Sequence, residues 1–218
     1  MWCRMCKTLS DATLCPSCAQ SIRKAGYAFL FKHRCPVCGN PVLDSSYVCP
    51  VCTTGMLAYG PYEKTLASLI RRYKFGGEIA LAPLLAGLYL PLLSSLESPL
   101  LLPIPCSREG YKRRGFDQME VITSYLARRE GYAQLSLFTK HKGTQYKLLS
   151  KEQRSLEHAL QLTSSRRKKE RFSQFLSDGY TAVLLDDVAT TGTTSNQARE
   201  LLRSCFGCNA TIVVLADV

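Results

Sequence analysis

The sequence has no apolar stretch long enough to cross a membrane. The longest one covers residues 79–93, only 15 positions, and it contains Pro83 and Pro91. A transmembrane helix needs about 20 apolar residues, so this run predicts a buried helix end and a connector. The start of the chain has no secretory signal pattern either, because Met1 and Trp2 lead directly into cysteines. We therefore expect a cytoplasmic protein that is not integral to a membrane.

Acidic residues are also few. The 218 residues include 17 Asp and Glu against 28 Lys and Arg, which gives a formal net charge of +11. The excess is concentrated in residues 108–171, which hold 16 basic and 7 acidic side chains. Such a basic stretch is typical of proteins that bind polyanions, either nucleic acids or phosphate-bearing substrates. A solvated surface is the other interpretation, and charge alone does not separate the two.

Cysteine is rare after residue 52 but dense before it. Eight of the 11 cysteines form four Cys-x2-Cys pairs in that first segment. Two intervening residues let a tight turn direct both sulfurs at one ion, and a tetrahedral site takes two such turns. Residues 1–55 are therefore predicted to hold two closed, structural zinc sites. The ligands of the first would be Cys3, Cys6, Cys15 and Cys18, and those of the second Cys35, Cys38, Cys49 and Cys52.

Two alternatives to this metal prediction stay open. Rubredoxin-like iron sites use the same cysteine pairs, and the pairs could interleave rather than combine in chain order. Sequential pairing is favoured because each spacer suits a short hairpin. A disulfide-stapled miniprotein would need an oxidising compartment and hence a secretory signal. A segment this small has little core of its own, so metal binding would supply much of its folding energy.

Residues 56–218 alternate between apolar runs and amphipathic stretches. Spacing typical of helices covers residues 63–75, 117–130 and 195–205. Runs typical of strands cover residues 100–104, 135–138, 180–185 and 211–215. This alternation predicts an α/β domain with a largely parallel sheet and helices on both faces. The basic run at residues 166–169 is expected to form a solvated loop.

One apolar strand ends in two acids that precede a hydroxyl-rich turn. The segment reads Asp186-Asp187-Val188-Ala189-Thr190-Thr191-Gly192-Thr193-Thr194, and a helix follows. The turn's N–H groups and the helix dipole can hold a phosphate, and Gly192 permits close backbone approach. The two aspartates could accept hydrogen bonds from a ribose diol at the sheet edge where such folds bind ligands. A capped helix after a strand is the alternative interpretation. A Walker loop is excluded because no Gly-Lys-Ser/Thr follows.

This segment resembles the signature with which type I phosphoribosyltransferases bind phosphoribosyl pyrophosphate (PRPP). The resemblance implies that Asp186 and Asp187 meet the ribose hydroxyls. It also implies that Ala189, Thr190, Thr191, Gly192, Thr193 and Thr194 cradle the 5′-phosphate. Magnesium would accompany the pyrophosphate of PRPP.

Three further stretches narrow the resemblance. They are residues 73–77 (Tyr-Lys-Phe-Gly-Gly), 103–108 (Pro-Ile-Pro-Cys-Ser-Arg) and 112–118 (Lys-Arg-Arg-Gly-Phe-Asp-Gln). With the cysteine pairs in front, their order resembles the ComF family of competence proteins over nearly the whole chain, least clearly over residues 143–179. The family implies a double zinc ribbon, residues 1–55, followed by a type I phosphoribosyltransferase-like domain, residues 56–218.

The same resemblance suggests roles for the arginines. Residues 103–108 take the place of the family's pyrophosphate loop, so Arg108, Arg113 and Arg114 would bind pyrophosphate or a nucleic-acid backbone. The chain has Asp117 where the family usually has asparagine, and Glu157 where its Arg-x-x-Asn pattern has asparagine. Both changes place a carboxyl group near a site meant for anions.

ComF proteins support natural transformation. The resemblance implies binding of single-stranded DNA during its passage across the inner membrane, in the cytoplasm or at the inner face of that membrane. The expected partner is a ComFA-type ATPase, and aromatic side chains such as Tyr111 and Phe116 could stack on bases. One alternative is a magnesium-dependent phosphoribosyltransferase with Asp186 and Asp187 as catalytic residues and an unknown acceptor. Another is a scaffold in which the zinc module contacts the ATPase.

Overall fold

The computed structural model describes residues 1–37, 40–44, 49–140, 160–190 and 192–218. Its N-terminal part consists of short elements between the cysteine pairs: α1 (Pro16–Lys24), α2 (Tyr27–Leu30), β1 (His33–Arg34), β2 (Pro41–Val42) and α3 (Pro50–Thr54). Strands β1 and β2 pair antiparallel. Helices α1 and α3 both begin with proline directly after a cysteine, because the first helical position needs no N–H donor and suits proline's fixed φ.

A five-stranded parallel sheet forms the centre of the remaining chain. Its strands, in spatial order, are β3 (Met56–Pro61), β9 (Ala210–Asp217), β8 (Thr181–Ala189), β4 (Pro99–Pro103) and β5 (Ala133–Gln134). A separate antiparallel pair consists of β6 (Phe138–Lys140) and β7 (Leu160–Leu162). The long central strands β8 and β9 are nearly continuous apolar runs, as expected for strands covered on both faces.

Helices cover both faces of this sheet. One face carries α4 (Lys64–Phe75), α5 (Ala82–Leu93) and α7 (Gln118–Glu130), and the other carries α8 (Arg166–Ser177) and α9 (Thr193–Phe206). Alternate residues of one strand serve the two layers, since Val183 and Leu185 pack with the first group and Leu184 with the second. A short helix, α6 (Arg108–Arg114), follows β4. The predicted α/β class with a parallel sheet is confirmed.

Two secondary-structure predictions are wrong. Residues 79–93 contain no connector: a 3-10 turn at Ile79–Leu81 leads into α5, which buries Leu85, Tyr89 and Leu93. Pro83 suits the first turn of the helix, whereas Pro91 lies inside it and removes one backbone hydrogen bond. The basic run at residues 166–169 is the first turn of α8, not a loop, because Ser165 caps the helix by accepting a bond from the N–H of Lys168.

Two strand boundaries also differ from the sequence pattern. The expected strand at residues 135–138 is replaced by β5 before it and β6 at its end, because the chain leaves the central sheet after Gln134 and pairs with β7 instead. Strand β8 does not end at Leu185. It continues through both aspartates to Ala189 because that stretch pairs with β9 as far as Asp217.

The cysteine-rich segment packs directly on the sheet domain. Ile22 of α1 belongs to the main apolar core, 3% exposed, and the Tyr59 hydroxyl donates to its carbonyl at 3.2 Å. At Gly60 a Cβ would lie 2.2 Å from the carbonyl oxygen of Ala25, so the two backbones approach too closely for any side chain. The boundary at residue 55 stays a prediction.

Candidate functional site

The first four cysteines meet in space. The sulfurs of Cys3, Cys6, Cys15 and Cys18 all lie within 4.8 Å of one another, and the Cys6 and Cys15 sulfurs are 3.6 Å apart. Sulfurs bound to one tetrahedral zinc ion at about 2.3 Å are about 3.8 Å from each other. These four residues therefore fit a closed zinc site.

A second group repeats this arrangement. The sulfurs of Cys35, Cys49 and Cys52 lie within 4.8 Å of one another, with Cys35 and Cys52 3.7 Å apart. Cys38, the fourth predicted ligand, lies outside the described residues. Both groups combine pairs in chain order rather than interleaving them. Soft thiolate ligands in tetrahedral spacing suit zinc, and four protein ligands leave no position for a reacting water.

The two aspartates of β8 are directed to different neighbours. Asp187 is 3% exposed; its Oδ1 is 2.8 Å from Nζ of Lys74 on α4, and its Oδ2 accepts a bond from the Gln118 side chain at 3.2 Å. Asp186 accepts a 3.4 Å bond from the Ser195 hydroxyl of α9. Adjacent strand residues point to opposite faces, so the carboxylates do not form one joint pair of ligands.

Asp186 has the more unusual protonation chemistry. Burial of its carboxyl group, together with the negative charge of Asp187, raises the pKa of Asp186 to about 7. The Asp187 backbone N–H donates to its Oδ1 at 2.9 Å, and the Tyr89 hydroxyl donates to its backbone carbonyl at 2.6 Å. A carboxyl group that titrates near neutral pH can either accept a hydrogen bond from a sugar hydroxyl or donate one.

The turn after β8 leads directly into helix α9. Gly192 adopts a left-handed conformation, φ 67°, as the N-cap of α9, and the N–H of Asn196 closes the first helical bond on its carbonyl at 2.8 Å. Thr190 and Thr193 are exposed, whereas Ala189 is buried and can contribute only its backbone. First-turn N–H groups have no intrahelical acceptor. Thr191 lies outside the described residues.

The three predicted arginines lie together on α6. Arg108 and Arg113 are exposed. Arg114 is partly buried, and its buried Nε has no hydrogen-bond partner among the described residues. The Ser107 hydroxyl caps this helix by accepting from the N–H of Gly110 at 3.1 Å. The helix begins five residues after the end of β4, so it lies near the carboxyl edge of the sheet, where β8 ends.

Asp117 has a structural role that the sequence pattern did not indicate. Its Oδ1 accepts from the N–H of Met119 at 3.0 Å, which caps α7, and its Oδ2 accepts from the N–H of Cys106 at 2.6 Å. Its carboxylate is therefore occupied by backbone donors rather than directed at a ligand. Burial, followed by the Asp117 charge, raises the pKa of the Cys106 thiol, which keeps that thiol protonated. Glu157, where the family's Arg-x-x-Asn pattern has asparagine, lies outside the described residues.

Sequence reasoning missed two residues beside the double aspartate. Lys74 and Gln118 both contact Asp187, yet they were noted only as parts of family-like stretches. Phe116 is partly buried against the Tyr73 ring, with centroids 5.6 Å apart, whereas Tyr111 is 53% exposed. For Lys74, the available signal was its position directly after Tyr73, the last inward residue of α4.

The described helices include none with the length and apolar character that a membrane span requires. No family model matches the chain.

Curated relatives align along most of the sequence. A "DNA utilization protein YhgH" from Salmonella typhimurium is 28% identical over 92% of this chain and 88% of its own length. "Competence protein ComFC" of Streptococcus pneumoniae is 27% identical over 88% of this chain and 82% of its own. "Competence protein F" of Haemophilus influenzae is 30% identical over 87% of this chain and 84% of its own. At that identity and coverage, the chain belongs to the ComF family of competence proteins.

Proposed function

We propose that this chain binds single-stranded DNA in the cytoplasm during DNA uptake, at or near the inner membrane, and holds a ribose phosphate at the end of β8. Two of the relatives are named competence proteins and one a DNA utilization protein. The proposal transfers that kind of role to a chain with a net charge of +11, which favours polyanionic partners.

The observation that carries the proposal is the basic surface of α6. Arg108, Lys112 and Arg113 are exposed on this short helix, next to the sheet edge where the double aspartate and the Gly192 turn lie. A DNA backbone supplies closely spaced phosphates, which exposed Lys and Arg side chains neutralise. Tyr111, on the same helix, offers an exposed ring for stacking on a base.

The pocket itself would seat a sugar phosphate, either of PRPP or of one nucleotide of the strand. The Gly192 turn and the start of α9 would hold the phosphate, and Asp186 would meet the ribose hydroxyls. Asp187 would bind the ribose together with Asp186 only after its contact with Lys74 is replaced by a contact with the ligand. Magnesium, when bound with pyrophosphate, would neutralise its charge, and Arg114 would contact the same group.

Binding of a labelled oligothymidylate over a series of salt concentrations tests the DNA contact. We expect the variant Arg108→Gln/Lys112→Gln, which changes one face of α6, to bind more weakly at low salt. Its slope of log K against log salt should be shallower by about 1.4, because each single-strand phosphate contact contributes about 0.7.

The pair Arg128→Gln/Arg129→Gln is the matched control. Both residues are exposed at the C-terminal end of α7. This helix has 13 residues, Gln118–Glu130, and is therefore about 20 Å long. The control substitutions thus lie at the end of α7 opposite to Gln118, which contacts Asp187. Equal slopes for the two variants and the unaltered protein, or wild-type binding that does not respond to salt, would contradict backbone contact by α6.

A second candidate function is a magnesium-dependent phosphoribosyltransferase. Burial and the neighbouring Asp187 charge raise the pKa of Asp186 to about 7. This pKa favours the transferase, because a general acid or base is most effective when its pKa is close to the operating pH. Calorimetric titration with PRPP and magnesium, then pyrophosphate release over a panel of bases, separates the two. PRPP binding without release for any acceptor would favour the binding function.

The partner would be a ComFA-type ATPase, contacted through the zinc module. That module exposes Phe29, Leu30 and Leu43 at 52%, 47% and 57%. Because Ile22 is part of the main core, deletion of residues 1–55 would damage the fold. The sharper test is pull-down of the ATPase by Phe29→Ser/Leu30→Ser. Undiminished capture would exclude this surface as the interface.

A further inference from the structure

Phe75 is an exposed aromatic ring beside the candidate site. It is the last residue of α4, and 56% of it is exposed. On the same helix, Leu66, Leu69 and Tyr73 are at most 1% exposed, so the inward face of α4 is complete without Phe75. The exposed part of the Phe75 ring contributes nothing to hydrophobic stabilisation of the fold. Single exposed apolar residues are common on protein surfaces, so its neighbours decide whether it is a binding feature.

The neighbours of Phe75 are cations. The guanidinium carbon of Arg113 on α6 lies 5.0 Å from the ring centroid, and Nζ of Lys74 lies 6.0 Å from it. Both distances are within the range of cation–π attraction. Two elements that are far apart in sequence thus bring a ring and two positive charges together. This combination of aromatic ring and basic groups is how proteins bind single strands without base specificity.

Lys74 connects the Phe75 ring to the double aspartate. Lys74, the residue before Phe75, places Nζ 2.8 Å from Oδ1 of Asp187. Arg113 follows Lys112 on the basic helix that we assign to the DNA backbone. A strand whose phosphates follow α6 would therefore have its bases within reach of Phe75, at the same sheet edge as the ribose-phosphate pocket.

We infer that Phe75 and Arg113 form a stacking platform for a base of single-stranded nucleic acid, with Lys74 linking the platform to the Asp187 end of the pocket. This inference rests on the proposed binding of single-stranded DNA. It adds a specific residue for base contact whose ring is more exposed than that of Phe116, which packs on Tyr73.

The test compares two labelled oligonucleotides of equal length, one of thymidylates and one whose central nucleotides are abasic. Phe75→Ala should weaken binding of the first about fivefold to hundredfold, the range measured for loss of one base stack. It should leave binding of the abasic strand unchanged, because the phosphates remain. The salt slope should also remain the same, whereas Arg113→Gln should make it shallower by about 0.7.

Trp2→Ala serves as the control, since Trp2 is also an exposed aromatic residue, 66%, in the cysteine-rich segment. A direct readout uses Phe75→Trp in a Trp2→Phe background, which leaves one indole whose fluorescence a stacked base should quench. Equal affinities of Phe75→Ala and wild type for thymidylate, with no quenching, would overturn the platform and leave the proposed function intact. Absence of any binding by the wild-type protein at low salt would overturn both.

Discussion

Asp186 makes stability depend on pH in a direction opposite to that of most aspartates. Burial and the Asp187 charge raise its pKa from 3.8 to about 7 in the folded chain. The folded state therefore keeps a proton that the unfolded state releases above pH 4. This proton stabilises the fold at low pH, and the contribution is lost as the pH rises through about 4 to 7.

The first prediction follows from this shift. Asp186→Asn removes the charge, so its free energy of unfolding should exceed that of the wild type by about 1–3 kcal/mol at pH 8. The difference should become smaller at pH 6. Urea unfolding of both proteins at each pH measures it, and the exposed Asp178→Asn provides the comparison. A difference that is the same at both pH values would show that Asp186 does not titrate in this range.

The second prediction concerns the buried end of the Lys74–Asp187 ion pair. The Asp187 side chain is 4% exposed and that of Lys74 is 26% exposed. Lys74→Met should therefore destabilise the protein by about 3 kcal/mol, because among the described residues it leaves the buried carboxylate with Gln118 as its side-chain partner. Adding Asp187→Asn should restore much of the loss.

Urea unfolding of the two single variants and the double variant gives the coupling free energy of this pair. If the changes in the free energy of unfolding caused by Lys74→Met and Asp187→Asn are additive, the contact contributes nothing to stability.

The pair also shows why the whole site could not be predicted from the sequence. Its members are 113 positions apart, and no local spacing indicates that α4 and β8 end side by side.

At the scale of single elements, helices were easier to predict than strand ends. The 3.6-residue spacing of Leu66, Leu69, Ile70 and Tyr73 predicted the inward face of α4, and all four are buried. Strand β8 was predicted to cover residues 180–185, because the apolar run ends there. It continues because β9 offers its backbone as a partner, and that pairing is a tertiary effect that the local pattern does not contain.

The third prediction concerns the start of α7. Asp117 accepts backbone bonds from Met119, Glu120 and Cys106 at 3.0, 3.2 and 2.6 Å. Asp117→Ala should cost about 2 kcal/mol, since it removes a helix cap and leaves the N–H of Cys106 without its acceptor. Asp117→Asn should cost about 1 kcal/mol, because the amide can cap the helix but has a single oxygen.

Thermal and urea unfolding of both Asp117 variants should give this graded order. Equal stability of Asp117→Ala and the wild type would show that the carboxylate has no capping role. The family-like expectation had placed this carboxyl group near the anion site. A measured loss of stability without loss of DNA affinity would support the structural role that its three hydrogen bonds indicate.

On the scale of the whole molecule, the zinc module and the sheet domain depend on each other. Ile22 of the module is part of the same apolar core as Leu57 and Leu69. Arg72 of α4 donates to the backbone carbonyls of Arg4 and Met5, the two residues between Cys3 and Cys6 of the first pair. The Tyr27 hydroxyl donates to Asp217 at the end of β9 at 2.6 Å. Loss of the module's structure would therefore expose part of the core.

The last prediction uses this connection. Removing zinc with a chelator should unfold the cysteine module, because metal binding supplies much of its folding free energy. Amide hydrogen exchange should then increase in β3 and α4, which contact the module through Tyr59 and Arg72. Helix α8 lies on the opposite face of the sheet, so its exchange should change little, and it serves as an internal control. Restored zinc should reverse the effect. Unchanged protection of β3 and α4 in the metal-free protein would mean that the sheet domain is stable without the module, and the module would then act only as a contact surface.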